Sequence, residues 1–234
     1  MSNQTSINPE SLQADFSGIR LLIFDLDGTL IDSRLDLVHS VNATLDHLGR
    51  PLLPHETIES YVGNGVAALV HRALGPGATE DEAKHAQEFF LAYYRAHMLD
   101  NTVLYPGVRE ALDELRDRSM AVLTNKPVRF SEEILKGLDA ACYFSFVYGG
   151  NSFSCKKPDP VGVQALLRDL GASADEAMMV GDSAVDVRTA RNAGIWSCGV
   201  TYGLGFESMR ADPPDLMLDN LADLPRHLNG KTSS

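Results

Sequence analysis

The chain is predicted to be an α/β protein: a doubly wound parallel sheet with an inserted helical cap domain. Three observations carry this. After Pro106, short apolar runs alternate with helix-length amphipathic segments, the order that builds a parallel sheet covered on both faces. The apolar runs, such as Leu21-Leu22-Ile23-Phe24 and Met178-Met179-Val180, show no polar alternation, as expected of strands buried on both sides. Between Asp32 and Leu104 the only periodicity is helical.

Taken in order, residues 1–18 are polar and read as a loose tail. A first strand over 19–25 ends in Asp25-Leu26-Asp27-Gly28-Thr29. Leu35, Val38, Val41, Leu45 and Leu48 then keep a 3.6-residue spacing that stops at Gly49, a helix with its terminator. Further helices are expected near 55–61, 65–74 and 80–99. Thr79-Glu80-Asp81-Glu82 sets acids at the start of the last, where the helix dipole favours them. Pro106 suits the first turn of a helix running to about Arg118. Strands at 120–123, 146–148, 177–180, 196–200 and 215–218 alternate with helices at 130–138, 160–170 and 184–193. The domains are therefore 19–31 joined to 105–230 for the α/β core, and 32–104 for the cap. An insertion directly after the first strand is expected to sit over the carboxyl edge of the sheet as a lid.

Composition narrows the function. The chain has 234 residues, 44% hydrophobic and 22% charged, ordinary for a globular protein. No apolar run reaches the ~18 residues of a membrane span, and no signal segment is visible, so the expected location is the cytoplasm. Cys142, Cys155 and Cys198 lack metal-ligand spacing and read as reduced thiols. A net charge of −12 argues against nucleic acid and anionic membranes as partners. Oligomeric state, monomer or homodimer, is not written in the pattern.

Four expected strand ends carry polar residues: Asp25 to Thr29, Thr124-Asn125-Lys126, Lys156-Lys157-Pro158, and Gly181-Asp182-Ser183 with Asp186. In a parallel sheet all four meet at one edge. Singly, each has a plain explanation: Asp-Gly is a common turn, Thr-Asn and Asp-Ser cap helices, and Lys-Pro is a solvated turn. Together they are chemically coherent. Buried carboxylates require a partner. Asp25 and Asp182 offer the oxygen ligands Mg²⁺ prefers. A carboxylate can attack phosphorus, and a second one two residues on can move the protons. Thr124 and Lys157 can balance charge on phosphoryl oxygens.

In that order and context the four motifs resemble those of the haloacid-dehalogenase-like superfamily of aspartyl phosphatases, over about residues 19–228. The resemblance implies Asp25 as nucleophile and Mg²⁺ ligand, and Asp27 as general acid/base that also binds metal through its carbonyl. It implies Thr124 and Asn125 as phosphoryl contacts, and Lys157, the lysine next to the proline, as the cation orienting the nucleophile. Asp182 is the implied metal ligand and Asp186 its support. The superfamily's dehalogenases lack the second carboxylate, so Asp27 favours phosphoryl transfer. The segment Tyr61-Val62-Gly63-Asn64-Gly65-Val66 with Leu69-Val70-His71-Arg72-Ala73-Leu74 resembles the cap of its phosphoglycolate phosphatases. It nominates Gly63 and Arg72 for substrate binding. By itself, Gly63-Asn64-Gly65 reads as a turn between helices, and Arg72 fits a solvated helix arginine as well as a carboxylate clamp. His71 reads as surface, and Tyr93-Tyr94-Arg95 as core packing with one exposed edge. Arg34 departs from the subgroup's usual pattern near the cap hinge. The implied function is Mg²⁺-dependent hydrolysis of a small phosphorylated metabolite, with 2-phosphoglycolate leading. The alternatives are a β-phosphoglucomutase-like phosphomutase, a pyrophosphatase or other sugar-phosphate phosphatase, and a non-catalytic binding protein on the same scaffold.

Overall fold

A computed structural model describes residues 14–230. The elements run β1 (Leu21–Phe24), β2 (Ile31–Asp32), α1 (Arg34–His47), α2 (His55–Glu59), α3 (Val66–Leu74), α4 (Glu80–His97), β3 (Val103–Leu104), α5 (Val108–Glu114), β4 (Ser119–Leu123), α6 (Val128–Gly137), β5 (Phe146–Tyr148), α7 (Val161–Leu170), β6 (Ala177–Gly181), α8 (Ala184–Ala193), β7 (Trp196–Val200), β8 (Leu216–Leu218) and α9 (Leu224–Leu228). The main sheet has strand order β5-β4-β1-β6-β7-β8, and every pairing in it is parallel.

Why the strands lack alternation is visible in the packing. Leu22, Phe24, Met120, Val122, Met178 and Val180 enter the core on one face. Their chain neighbours Leu21, Ile23, Ala121, Leu123, Ala177 and Met179 enter the core on the other. Helices α5 and α6 contribute Leu112, Phe130, Ile134 and Leu135 to the first face. Val163 and Leu166 of α7 and Ala190 of α8 cover the second. Period-two side chains on a doubly covered sheet must be apolar at every position.

This strand order positions the site. From β1 the chain builds outward through β4 and β5, then returns to add β6, β7 and β8 on the other side. The reversal at β1 opens the crevice where α/β sheets bind ligands. β1 lies between β4 and β6, so the loops after these three strands are neighbours.

Helices α1 to α4 occupy the segment between β2 and β3 and pack on one another. The expected bounds hold within a few residues, and the Thr79 side chain caps α4 by accepting from the Glu82 amide. Two features lay outside the expectations. Ile31–Asp32 and Val103–Leu104 pair antiparallel, a two-rung ribbon where the chain leaves the sheet and returns. Beside it the buried Asp36 carboxylate accepts from the amides of Asn101 and Thr102, from Asn101 Nδ2 at 2.8 Å and from Thr102 Oγ1 at 2.7 Å. This clasp joins the start of α1 to the chain entering β3. The tail expectation lies mostly outside the described residues, but Phe16 departs from it: the ring is buried edge-on against Trp196. No described helix is long and apolar enough to cross a membrane.

Candidate active site

Asp25 follows β1 directly, and its amide still bonds the Val180 carbonyl of β6. The chain then leaves the sheet, with the Leu26 carbonyl accepting from the amides of Thr29, Leu30 and Ile31. That tight loop swings Asp27 to the same edge as Asp25, which strict strand alternation would forbid. Gly28 stands in the left-handed region at φ +82°, and a Cβ there would lie 2.3 Å from Asp182 Oδ2. Only glycine allows both the turn and this approach of the two strand ends.

Lys157, from the loop between β5 and α7, has a side chain only 2% exposed. Its Nζ stands 2.9 Å from Asp25 Oδ1 and 2.6 Å from Asp186 Oδ1. Asp186 Oδ2 in turn accepts from the Ser183 amide and hydroxyl, closing a capping box at the start of α8. Asp182 ends β6, and its Oδ2 accepts from the Gly205 amide at 2.8 Å. Asp27 Oδ1 accepts from Ser33 Oγ at 2.6 Å and from Lys126 Nζ at 2.9 Å, and the lysine also reaches Asp27 Oδ2 at 3.1 Å.

Burial raises the Asp25 carboxyl to about 6; Lys157 opposes the rise and Asp186 adds to it. Asp182 is raised further, to about 8, by burial and then by Asp186 and Asp25. Lys157 is up at about 12: burial works against its charge, but Asp186 and Asp25 outweigh it. Lys126 is raised likewise: burial works against its charge, but Asp27 and Tyr94 together outweigh it. Against four carboxylates, Asp25, Asp27, Asp182 and Asp186, stand two lysines, leaving an excess charge of −2 in a largely buried cluster.

That excess fits a divalent cation. Asp25, Asp182 and Asp186 each present a carboxylate oxygen within 4.8 Å of the others. Both Asp186 oxygens are engaged by Lys157 and Ser183. Asp25 Oδ2 and Asp182 Oδ1 make no hydrogen bond among the described residues, so these two carboxylates are the better ligands and Asp186 is better suited to support. An all-oxygen donor set suits a hard ion such as Mg²⁺.

Above this floor lies a cavity of about 40 Å³, room for a few water-sized groups. Asp25, Asp27, Thr124, Asn125 and Lys126 form one wall; Leu37, Val62, Gly63, Gly65, Val66 and Leu69 form the other. Asn125 Nδ2 donates to the Gly63 carbonyl at 3.1 Å and to the Lys157 carbonyl at 3.2 Å. Gly65, at φ +86°, would bring a Cβ to 3.0 Å from the Asn125 carbonyl oxygen. The glycine turn therefore rests against the strand-end loops instead of lying free between helices.

The structure thus brings together Asp25, Asp27, Thr124, Asn125, Lys157, Asp182, Asp186 and Gly63. Arg72 does not join them: it is exposed, stands outside the cavity wall and donates to the Tyr61 carbonyl at 3.0 Å. A helix residue six positions past Val66 has turned away from the wall by that point. Arg34 is also outside, paired with Asp32 at 2.8 Å. Two participants escaped the sequence reasoning. Lys126 stands in the strand-end segment Thr124-Asn125-Lys126 but drew no role there, yet its side chain is only 4% exposed. The segment Tyr202-Gly203-Leu204-Gly205 after β7 covers Asp182, and Tyr202 donates to the Thr29 carbonyl at 2.9 Å. Its signal was two glycines, Gly203 and Gly205, within five residues of the end of an apolar strand.

The chain is similar to known proteins in sequence and in fold. Residues 22–200 match the family described as haloacid dehalogenase-like hydrolase. The chain is 41% identical to the phosphoglycolate phosphatase of Vibrio parahaemolyticus over 217 residues, 88% of this chain and 94% of that one. It is 38% identical to the phosphoglycolate phosphatase of Chromobacterium violaceum over 218 residues, 88% and 95% of the two chains. The crystal structure of a predicted phosphoglycolate phosphatase from Haemophilus somnus superimposes with a TM-score of 0.83 at 32% identity, covering 88% of this chain and 96% of the other. The chain belongs to the haloacid dehalogenase-like hydrolases and is an enzyme of their phosphatase branch, in the phosphoglycolate phosphatase-like subgroup.

Proposed function

We propose that this enzyme is a Mg²⁺-dependent phosphomonoesterase working through a phosphorylated Asp25, with 2-phosphoglycolate as its substrate. The observation that carries this reading is Asp25 itself. It is a buried carboxylate with one oxygen held by Lys157 and the other without a hydrogen bond, at the floor of a small cavity beside a second carboxylate. Asp25 attacks phosphorus while the bond to the leaving oxygen breaks, and Asp27 gives that oxygen its proton. Asp27 then takes a proton from the water that attacks the acyl phosphate, releasing inorganic phosphate and restoring Asp25. Lys157 holds Asp25 in place and, with the Thr124 hydroxyl and the Asn125 backbone N–H, offsets charge on the transferring oxygens. Asp25, Asp182 and the Asp27 carbonyl would hold the Mg²⁺, with Asp186 in support; when bound, it neutralises phosphoryl charge.

Residues 32–104 act in this reading as a cap over the core formed by 19–31 and 105–230. The small, largely apolar cap side of the cavity suits a compact ester better than a polyhydroxylated hexose phosphate. The relatives named phosphoglycolate phosphatase support the substrate, and three free thiols agree with a cytoplasmic enzyme. The test is phosphate release from a panel of phosphorylated metabolites, ranked by kcat/KM with and without Mg²⁺. The reading expects 2-phosphoglycolate to lead and hexose phosphates not to isomerise. Isomerisation without phosphate release would instead establish a mutase.

Two further results are expected. Arg72→Ala should change kcat/KM for 2-phosphoglycolate by less than about threefold, as for other surface changes away from a site; a larger loss, confined to carboxylate-bearing esters, would return Arg72 to the binding site. Stability should depend on metal and pH together. Asp25 and Asp182 have folded-state values above the ordinary 3.8, near 6 and 8. The folded state therefore binds more protons than the unfolded chain, and the metal-free protein loses stability as pH rises from about 4 through 8. Mg²⁺ favours the ionised carboxylates, so the gap in Tm between Mg²⁺ and EDTA samples should widen from pH 5.5 to pH 8. Parallel melting curves at the two pH values would rule this out.

A further inference from the structure

The geometry points to Lys126 as the residue that selects the substrate, by binding a second anionic group on the ester's leaving portion. This rests on the phosphomonoesterase reading and goes beyond it by assigning specificity to a residue with no place in the four strand-end motifs' chemistry.

Phosphoryl recognition is fully supplied without Lys126. Asp25, Thr124 and Lys157 stand at the strand ends, and the carboxylate cluster holds the metal. What remains of the cavity wall is apolar, formed by Leu37, Val62, Val66 and Leu69, with the Gly63 and Gly65 backbone. Lys126, on the facing wall, is the only cationic side chain lining the cavity among the described residues. Burying a lysine carries a large desolvation cost unless it is paired, and Asp27 supplies one partner. An ammonium has three N–H groups. Both hydrogen bonds of Lys126 Nζ within 3.5 Å among the described residues go to the one carboxylate of Asp27, and the Tyr94 side chain, the other neighbour that favours its charge, brings no negative charge of its own. Nζ also lies 4.6 Å from the centre of the buried Tyr94 ring, whose face favours a cation and backs the ammonium against the cavity.

A lysine serving only Asp27 has no need to line the substrate wall. One that also receives a carboxylate does, because the leaving portion of the ester must lie between Asp27, which protonates its oxygen, and the apolar cap residues. The chain's net charge of −12 disfavours anions in general, so a dianionic phosphate that carries a further carboxylate needs a buried cation at its far end. The ligand class is therefore a short phosphorylated hydroxy acid, with the carboxylate one or two carbons from the ester oxygen.

The test compares 2-phosphoglycolate with ethyl phosphate, which has the same carbon count and a similarly poor leaving alcohol but no carboxylate. Both need Asp27, so their ratio isolates the carboxylate contact. In the wild-type enzyme with Mg²⁺, kcat/KM for 2-phosphoglycolate should exceed that for ethyl phosphate at least tenfold. In Lys126→Met that ratio should fall by about 10- to 100-fold, the range for a charged hydrogen bond, with most of the change in KM for 2-phosphoglycolate. A ratio unchanged within threefold, both substrates falling together, would overturn the proposal and leave Lys126 as the partner of Asp27 alone. The wild-type ratio needs no folded variant, and a value below threefold overturns the proposal by itself. If the wild type hydrolysed neither ester nor p-nitrophenyl phosphate, the phosphomonoesterase reading would fall, and this inference with it.

Discussion

Asp25→Asn should abolish Mg²⁺-dependent turnover, lowering kcat on the order of 10⁴-fold or more, while leaving the fold intact. The amide keeps the size of the carboxylate and can still accept from the Leu26 amide, which stands 2.7 Å from Asp25 Oδ1. It cannot attack phosphorus. Lys157 retains Asp186 at 2.6 Å, so no buried charge is stranded. The cluster's excess negative charge drops by one, and the melting temperature should hold or rise. Phosphate release from 2-phosphoglycolate and from p-nitrophenyl phosphate, with near-ultraviolet circular dichroism as the control for folding, checks both halves. Activity within tenfold of wild type would exclude a phosphorylated Asp25 from the mechanism.

Asp182→Asn should make the metal-free protein more stable and the enzyme inactive. Asp182 is the carboxylate least at ease in its surroundings, raised to about 8 by burial and by its two acidic neighbours, with Lys157 too weakly placed to compensate. The change removes one charge from an uncompensated cluster but preserves an acceptor for the Gly205 amide. In EDTA at pH 8 the melting temperature should rise by at least about 2–4 °C, the response to roughly 1 kcal/mol in a chain of this size. The variant should lose the additional stabilisation by Mg²⁺, and kcat/KM should drop about 10³-fold, in keeping with several kcal/mol of lost charge stabilisation. Functional sites commonly trade stability for chemistry in this way. A lower melting temperature in EDTA would show instead that the charge of Asp182 supports the fold.

Most of the sheet was legible because its strands obey one rule. Buried on both faces, they have no tolerance for polar residues until the carboxyl edge, so each strand ends where its chemistry begins. The β2–β3 ribbon was not legible. It is two residues long on each side and pairs positions about seventy apart, too short for any period to register. The Asp36 clasp was hidden for the same reason: its donors, Asn101 and Thr102, lie 65 and 66 residues away. Among site residues, the choice of Lys157 over Lys156 agrees with the geometry, since only Lys157 contacts Asp25 and Asp186. Arg72 illustrates the opposite case. Residue type and neighbourhood nominate it, but the rotation of α3 between Val66 and Arg72 directs it away from the cavity.

The sequence by itself determined the chemistry on offer: which strands carry carboxylates, that a second carboxylate follows the first by two, and that a helical segment intervenes before the sheet resumes. These are local properties, set by burial period and by residue type. Only the tertiary structure decided how the charges divide. Strand order places Asp25 and Asp182 side by side, and the loop after β5 puts Lys157 between Asp25 and Asp186. The turn after β4 gives Lys126 to Asp27 and to the cavity. Charge interaction depends on distance and on exclusion of water, and neither is encoded in spacing along the chain.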